Sequence, residues 1–264
     1  MLINLRRNNI KIQRISHVFI SHLHGDHYLG LLGLMQTMHL LGRKTKLTLV
    51  CPPELKEIID LQNKHSQTTM VYELEYIFTN PKQTEKVWED DKIEITTFPL
   101  RHRINCTGFL FKEKPHLKNI DKEKLKEFKV AVSEINKLRL GLDAIDDKGN
   151  AVANTTVTLP AQPQRSYAYC SDTNYLEDKI EHVKEVNLLY HEATFLNAEL
   201  ERAKKTFHST SEQAATIASK ANVKQLLLGH FSARYGSMDG FIEEAQPFFA
   251  NTLIAEEGTT YKIA

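Results

Sequence analysis

Short apolar runs alternate with helical periods along most of the chain, which predicts strands and helices in turn. HVFIS (17–21), KLTLVC (46–51), YELEYIF (72–78), KIEITTFPL (92–100), SYAYCSDT (166–173), NLLYHEAT (187–194), QLLLGHFS (225–232) and TLIAEEGTTYKI (252–263) read as strands or strand ends. Between them, YLGLLGLMQTMHLLG (28–42) reads as a helix that ends near Gly42, a suitable C-terminal stop. PPELKEIIDLQNKH (52–65) opens with Pro53 where a first helical turn tolerates it. Further helices are expected over YLEDKIEHVKEV (175–186) and from about Ser209. Strand, polar loop and helix in repetition predict an α/β domain in which helices cover sheets. One domain over 1–264 is expected, interrupted by an insertion at about 112–165 where the alternation fails.

Composition narrows the choice of function only at a few points. Thirty-four Lys and Arg stand against 33 Asp and Glu, so attraction to a polyanion has to come from a local patch. The insertion offers one: Lys112 to Arg139 carries an excess of Lys and Arg, with partial helix over KEKLKEFKVAVSEINKLR. Cys51, Cys106 and Cys170 are odd in number and far apart, so buried thiols in a reducing compartment are expected in place of a disulfide framework. No run of eighteen apolar residues occurs, and MLINLRRNNIK lacks the apolar core of a secretory signal, so a cytoplasmic protein with no membrane partner is expected.

The chemistry concentrates in HLHGDH (22–27), where three histidines and an aspartate follow a strand within six positions. His22 and His24 alternate as they leave the strand, so both rings can point to one side. Gly25 is expected to make the tight turn that brings Asp26 and His27 alongside. Imidazole and carboxylate suit borderline divalent metals such as Zn²⁺, with Mn²⁺ or Fe²⁺ also served, and the geometry suits two adjacent ions. Four residues cannot close two such sites. His102, Asp172 and His230, each in a loop after an apolar run, are the candidates to complete them. His17, His39, His65, His116 and His182 lack such partners and are expected to be structural or exposed.

HLHGDH followed by separated His, Asp and His resembles the metallo-β-lactamase fold, and YCSDT, HEATF, HSTSEQAA and GHFSARY resemble the ribonuclease Z family of precursor tRNA 3′ endonucleases. The resemblance runs from about Arg14 to Tyr235. It implies a four-layer αβ/βα sandwich, two zinc ions per chain, precursor tRNA as substrate and a homodimer. It also implies that His22, His24 and His102 hold one zinc, that Asp26, His27 and His230 hold the other, and that Asp172 bridges them. Metal-activated water would then attack the phosphodiester and release the 3′ trailer. Asp26 is the candidate general base, His208 the candidate acid for the leaving ribose oxygen, and Glu192 the carboxylate that orients His208. Ser209 and Glu212 have the spacing of a capping box that would fix the helix start beside His208.

Two departures from the family pattern shape the expectations. Members open with strands and a basic loop that are not found ahead of MLINLRRNN, so the fold is expected to be N-terminally incomplete. The insertion corresponds in place to the arm that grips tRNA, but LGLDAIDDKGN lacks the Gly and Pro rich tip of the bacterial arm. Two rival readings stand beside the endoribonuclease. One is a hydrolase of the same fold acting on small phosphodiesters or esters; the other is a noncatalytic RNA-binding copy.

Overall fold

The computed structural model describes residues 2–264. The chain divides into two compact units, one formed by Met1–Glu89, Ile95–Phe111 and Ser166–Ala264, the other by Asp90–Glu94 and Lys112–Arg165. Among the described residues no helix is long and apolar enough to cross a membrane.

In the first unit, α1 (Leu2–Arg7), β1 (His17–Phe19), α2 (Gly25–Leu40), β2 (Leu47–Cys51), α3 (Glu54–His65) and β3 (Leu74–Phe78) follow in sequence. The strands pair in parallel in the order β1-β2-β3, the helices serving as crossovers. Every residue of β2 is buried, as in a strand covered on both faces, and its one polar side chain, Thr48, donates to Glu75 Oε2 at 2.7 Å. Leu31, Leu34, Met35 and Met38 of α2 recur at helical spacing and pack with Leu55 and Ile59 of α3 against Leu47 and Leu49. Gly42 stops α2 as expected, at a φ of +70°. Gly25 departs from expectation. It is the first residue of α2, after an extended His24 at φ −71° and ψ 145°, so Asp26 and His27 lie in the first helical turn and not in a separate loop.

The chain continues through β4 (Glu85–Glu89), β5 (Ile93–Leu100) and β6 (Cys106–Glu113). The insertion then supplies β7 (Asn119–Ile120), α4 (Lys122–Glu127), α5 (Ile135–Arg139), β8 (Ala144–Ile145), β9 (Ala151–Val152), α6 (Asn154–Val157) and β10 (Thr158–Leu159). After it come β11 (Ser166–Cys170), β12 (Leu188–Glu192), α7 (Leu200–Thr206), α8 (Ser211–Lys220), β13 (Gln225–Gly229), α9 (Asp239–Ala245) and β14 (Thr252–Ile254). Seven strands form the second sheet in the order β14-β13-β12-β11-β6-β5-β4, with β11 to β14 parallel. Ala214 and Ile217 of α8 and Phe241 of α9 pack with Phe98, Ala168, Leu189 and Leu226 from the strands in one buried cluster. Phe19 of β1 meets Phe109 and Phe111 of β6 edge-on, at 5.4 and 5.1 Å between ring centres, and so joins the two sheets.

Two predicted details differ. Residues 175–186 form a 3-10 turn at Glu177–His182 instead of an α-helix, a form common in short connectors. Tyr175 Oη donates to Glu177 Oε1 at 2.9 Å. The pattern also did not reveal β4, β6, α7 or α9, whose short or mixed-polarity segments carry little periodic signal. Cys51, Cys106 and Cys170 are buried thiols with no disulfide among the described residues, as their spacing predicts.

The second unit has its own apolar core of Val130, Leu138, Ala144, Val152 and Val157. Buried Asn154 stitches it by donating from Nδ2 to the carbonyls of Leu138 at 2.7 Å and Leu142 at 2.9 Å. At its base Arg165 Nε donates to Glu113 Oε2 at 3.0 Å.

Candidate metal centre

The C-terminal ends of β1 in the first sheet and of β5, β11, β12 and β13 in the second carry His22, His102, Asp172, Glu192 and His230, which the two sheets hold in fixed relation. His24 leaves β1 with His22, and α2 brings Asp26 and His27 in its first turn. The structure gathers these donors into two groups, and His208 joins Asp172 and His230 in a third that overlaps both. His22, His24, His102 and Asp172 offer ligand atoms all within 4.8 Å of one another, as do Asp26, His27 and His230. Asp172 stands between them. Its Oδ2 lies 3.6 Å from His22 Nε2 and 3.7 Å from His102 Nε2, whereas its Oδ1 lies 3.4 Å from His27 Nε2 and 3.3 Å from His230 Nε2. Asp26 Oδ2 reaches His27 Nε2 at 3.3 Å and His230 Nε2 at 3.6 Å. The Asp26 side chain is 67% exposed, against 4% for Asp172, so the cluster has a buried floor and opens at Asp26.

Hydrogen bonds behind the cluster set the tautomers. His102 Nδ1 donates to the Phe207 carbonyl at 2.9 Å, which leaves Nε2 without a proton in the neutral ring. Ser171 Oγ donates to Asp172 Oδ1 at 3.4 Å and Ser21 Oγ donates to Ser171 Oγ at 3.1 Å, so Ser21 can only accept from His22 Nδ1, 3.1 Å away. His22 Nε2 is therefore bare as well. Thr194 Oγ1 donates to Glu192 Oε2 at 2.8 Å and accepts from His230 Nδ1 at 2.8 Å, freeing His230 Nε2.

This arrangement fits a cation and is hard to satisfy otherwise. His24 Nδ1 lies 3.2 Å from His22 Nε2 and 3.0 Å from His102 Nε2, yet two of those three nitrogens carry lone pairs only. His27 Nε2 is buried and makes no hydrogen bond. Burial, aided by the neighbouring His27, pushes the His22 pKa down to about 3. Burial works against ionisation of Asp172, but the close approach of the His27 ring, at 3.4 Å, and the charges of His230, His27 and His22 outweigh it and hold the carboxyl below the usual carboxylate range. A neutral imidazole and an ionised carboxylate are the forms that bind metal.

Beside the cluster, His208 Nδ1 donates to Glu192 Oε1 at 2.9 Å. Burial opposes protonation of His208, but Glu192 more than compensates and raises its pKa above the ordinary histidine value. Glu192 is itself fully buried and accepts from the backbone N–H groups of Thr173 and Thr194, both at 3.0 Å. The helix start beside His208 is capped differently from the expected Ser209 and Glu212 pair. Thr210 and Gln213 form the reciprocal box, while Ser209 turns inward and donates to the Thr173 carbonyl at 2.7 Å. One register step separates the two, and burial of Ser209 decides it.

His191 points away from the cluster, buried, with Nδ1 donating to the Glu192 carbonyl at 2.6 Å. Of the histidines expected to be structural, His17 packs edge-on to Trp88, His39 accepts from the Val71 N–H, His116 meets Glu113, and His182 stacks on Phe98. Residue-by-residue reasoning missed Ser21 and Thr194. Their only local signal is a hydroxyl beside a strand-end ligand, which is too common to single them out.

A profile of the beta-lactamase superfamily domain matches residues 3–118 and 127–231. The chain is 44% identical over 253 residues to a ribonuclease Z of Bacteroides fragilis, covering 96% of this chain and 83% of that protein. It is 43% identical over 241 residues to a ribonuclease Z of Cytophaga hutchinsonii, covering 91% and 77% respectively. Among solved structures, the short form of human tRNase Z superposes with a TM-score of 0.66 at 23% identity over 98% of this chain and 83% of that one. The metallo-beta-lactamase fold protein YhfI of Bacillus subtilis gives 0.64 at 17% identity over 99% and 83%. At those identities the two structures speak for the fold alone. The strand-end cluster, the superfamily profile and the curated relatives agree: this chain belongs to the ribonuclease Z family, within the beta-lactamase superfamily.

Proposed function

We propose that the chain is a zinc-dependent endoribonuclease that removes the 3′ trailer from precursor tRNA. The observation that carries this reading is the division of the two Asp172 oxygens between two groups of histidine and aspartate donors. His22, His24 and His102 would hold one divalent cation, Asp26, His27 and His230 a second, and Asp172 both. Bound there, such cations would supply the charge that makes water acidic and a phosphate electrophilic. The relatives called ribonuclease Z support RNA as the substrate.

The remaining work falls to side chains of this chain. Asp26, the exposed carboxylate at the mouth, orients the attacking water and accepts its proton. Water adds to phosphorus, the bond to the ribose 3′ oxygen breaks, and the trailer leaves with the phosphate. That oxygen needs a proton, which His208 donates. Glu192 keeps the His208 ring protonated and aimed, through the 2.9 Å bond to Nδ1 that leaves Nε2 for the substrate.

The test is cleavage of a precursor tRNA carrying a 3′ trailer, with the product ends mapped and bound metal counted. Cleavage at the base of the trailer, lost on chelation and restored by Zn²⁺, with two ions per chain, is the expected result. Turnover of small phosphodiesters without cleavage of precursor tRNA would favour the hydrolase reading. Metal content and tRNA affinity with no turnover of either substrate would favour a noncatalytic RNA-binding protein.

A further inference from the structure

A cavity of about 690 Å³ opens beside the metal centre, with His102, Arg101, Arg103, Ile104, Leu176 and Asp178 in its lining. His102 belongs to both places: its Nε2 joins the cluster and its residue walls the cavity, so an occupant would be a direct neighbour of the reacting phosphate. The loop is held in place, because the Arg101 N–H donates to Thr173 Oγ1 at 3.1 Å and the Arg101 carbonyl accepts from the Asn174 N–H at 2.8 Å. Both arginines are exposed, and among the described residues neither has an ion-pair partner. Two guanidinium groups, apolar walls and one carboxylate match the phosphate, base and hydroxyl groups of a nucleotide.

Charge separates this cavity from its neighbours. The adjoining one, about 410 Å³, carries Glu54 and Glu85 and no cation in its lining. A third, between α1 and α2, is lined by Asp26 and Glu257. Neither invites a phosphate without a cation bound.

Resting on the reading that this chain cleaves precursor tRNA, we propose that the cavity receives the first nucleotide of the trailer, with Arg101 and Arg103 pairing the phosphate on its 3′ side. A paired nucleotide cannot enter without breaking its pair. The nucleotide before the cut continues the stack of the acceptor helix, whereas the trailer is single-stranded and its bases are free to turn out. Asp178 accepts from a ribose hydroxyl or base amine, and Ile104 and Leu176 pack on the base.

A thermodynamic cycle between protein and substrate tests this. Arg103→Gln and the pair Arg101→Gln with Arg103→Gln are assayed on a precursor tRNA with either natural linkages or one neutral methylphosphonate after the first trailer nucleotide. Each change alone is expected to raise KM about tenfold, the loss of one charge-assisted contact, with kcat nearly constant. Both together should raise it little further. Multiplying effects overturn the proposal, as does coupling to a methylphosphonate placed upstream of the cut instead. Should the variants fail to fold, the unaltered protein still decides: a methylphosphonate after the first trailer nucleotide must weaken binding and one after the fourth must not. Failure to cleave the natural precursor at all overturns the underlying function as well, which a lack of coupling does not.

Discussion

At the scale of single residues, the centre depends on hydroxyls that hold histidines by their outer nitrogens. Thr194 is the clearest case, linking His230 Nδ1 to the Glu192 carboxylate through one hydroxyl. Thr194→Val keeps the shape and removes the link. It should weaken one of two metal ions by about 10- to 100-fold, the usual loss on removing a ligand's outer partner, while Thr194→Ser restores affinity. Competition with a chromogenic chelator measures this, and two ions bound with unchanged affinity in Thr194→Val would remove Thr194 from the account. Glu192→Gln tests the other branch. It should lower kcat on precursor tRNA by about 10²-fold, the low end for loss of acid catalysis, with metal content retained. Full turnover with both metals bound would end the orienting role proposed for Glu192.

At the scale of elements, the strand tips need close packing to keep their ligands aligned. Gly229 ends β13 directly before His230, and a Cβ there would overlap the ring of Tyr190 on neighbouring β12. Tyr190 cannot easily yield, because it stacks on Tyr169 at 4.8 Å between ring centres. Gly229→Ala should therefore destabilise the fold by about 1–3 kcal/mol, as overpacking does, and disturb His230. Denaturant unfolding and metal content report the two effects separately. Sequence patterns exposed β2, β11, β12 and β13 well, since a buried parallel strand leaves an unmistakable apolar run. They hid β6, where Gly108 interrupts the run because the Phe98 ring occupies the space of a side chain. They also misplaced the cap of α8 by one residue, since Ser209 and Thr210 are equally good caps until burial chooses between them.

At the scale of the whole molecule, the insertion packs on its own core, and its Lys and Arg excess is a local one in a chain of net charge +1. Removing about 117–154 should weaken precursor tRNA binding and flatten its salt dependence, while hydrolysis of a small phosphodiester continues. Equal loss of both activities would indicate a damaged fold. The base of the insertion also sets an acid limit. The hydrogen bonds of Arg165, with a further bond from His116, hold the Glu113 pKa down at about 2 from an ordinary 4.5. A carboxyl whose pKa is lower folded than unfolded stabilises fully above the unfolded value, and that contribution fades as pH falls from about 4.5 toward 2. Arg165→Gln should return the Glu113 titration, followed by NMR, toward the ordinary glutamate range and reduce the acid dependence of unfolding in that window.

The sequence by itself determined the alternation of strands and helices and placed the candidate ligands at strand ends, because periodicity and loop chemistry are local properties. Its motifs also carried the family. What only the tertiary structure decided was the pairing of distant groups: the two oxygens of Asp172 each turned to a different set of rings, the hydroxyl chain from Ser21 to Ser171 across 150 residues, the hold of Thr194 on His230, and the two arginines beside His102. Each depends on how strands far apart in the chain are brought edge to edge, and no local pattern encodes the distance between two side chains that meet only once the sheet has formed.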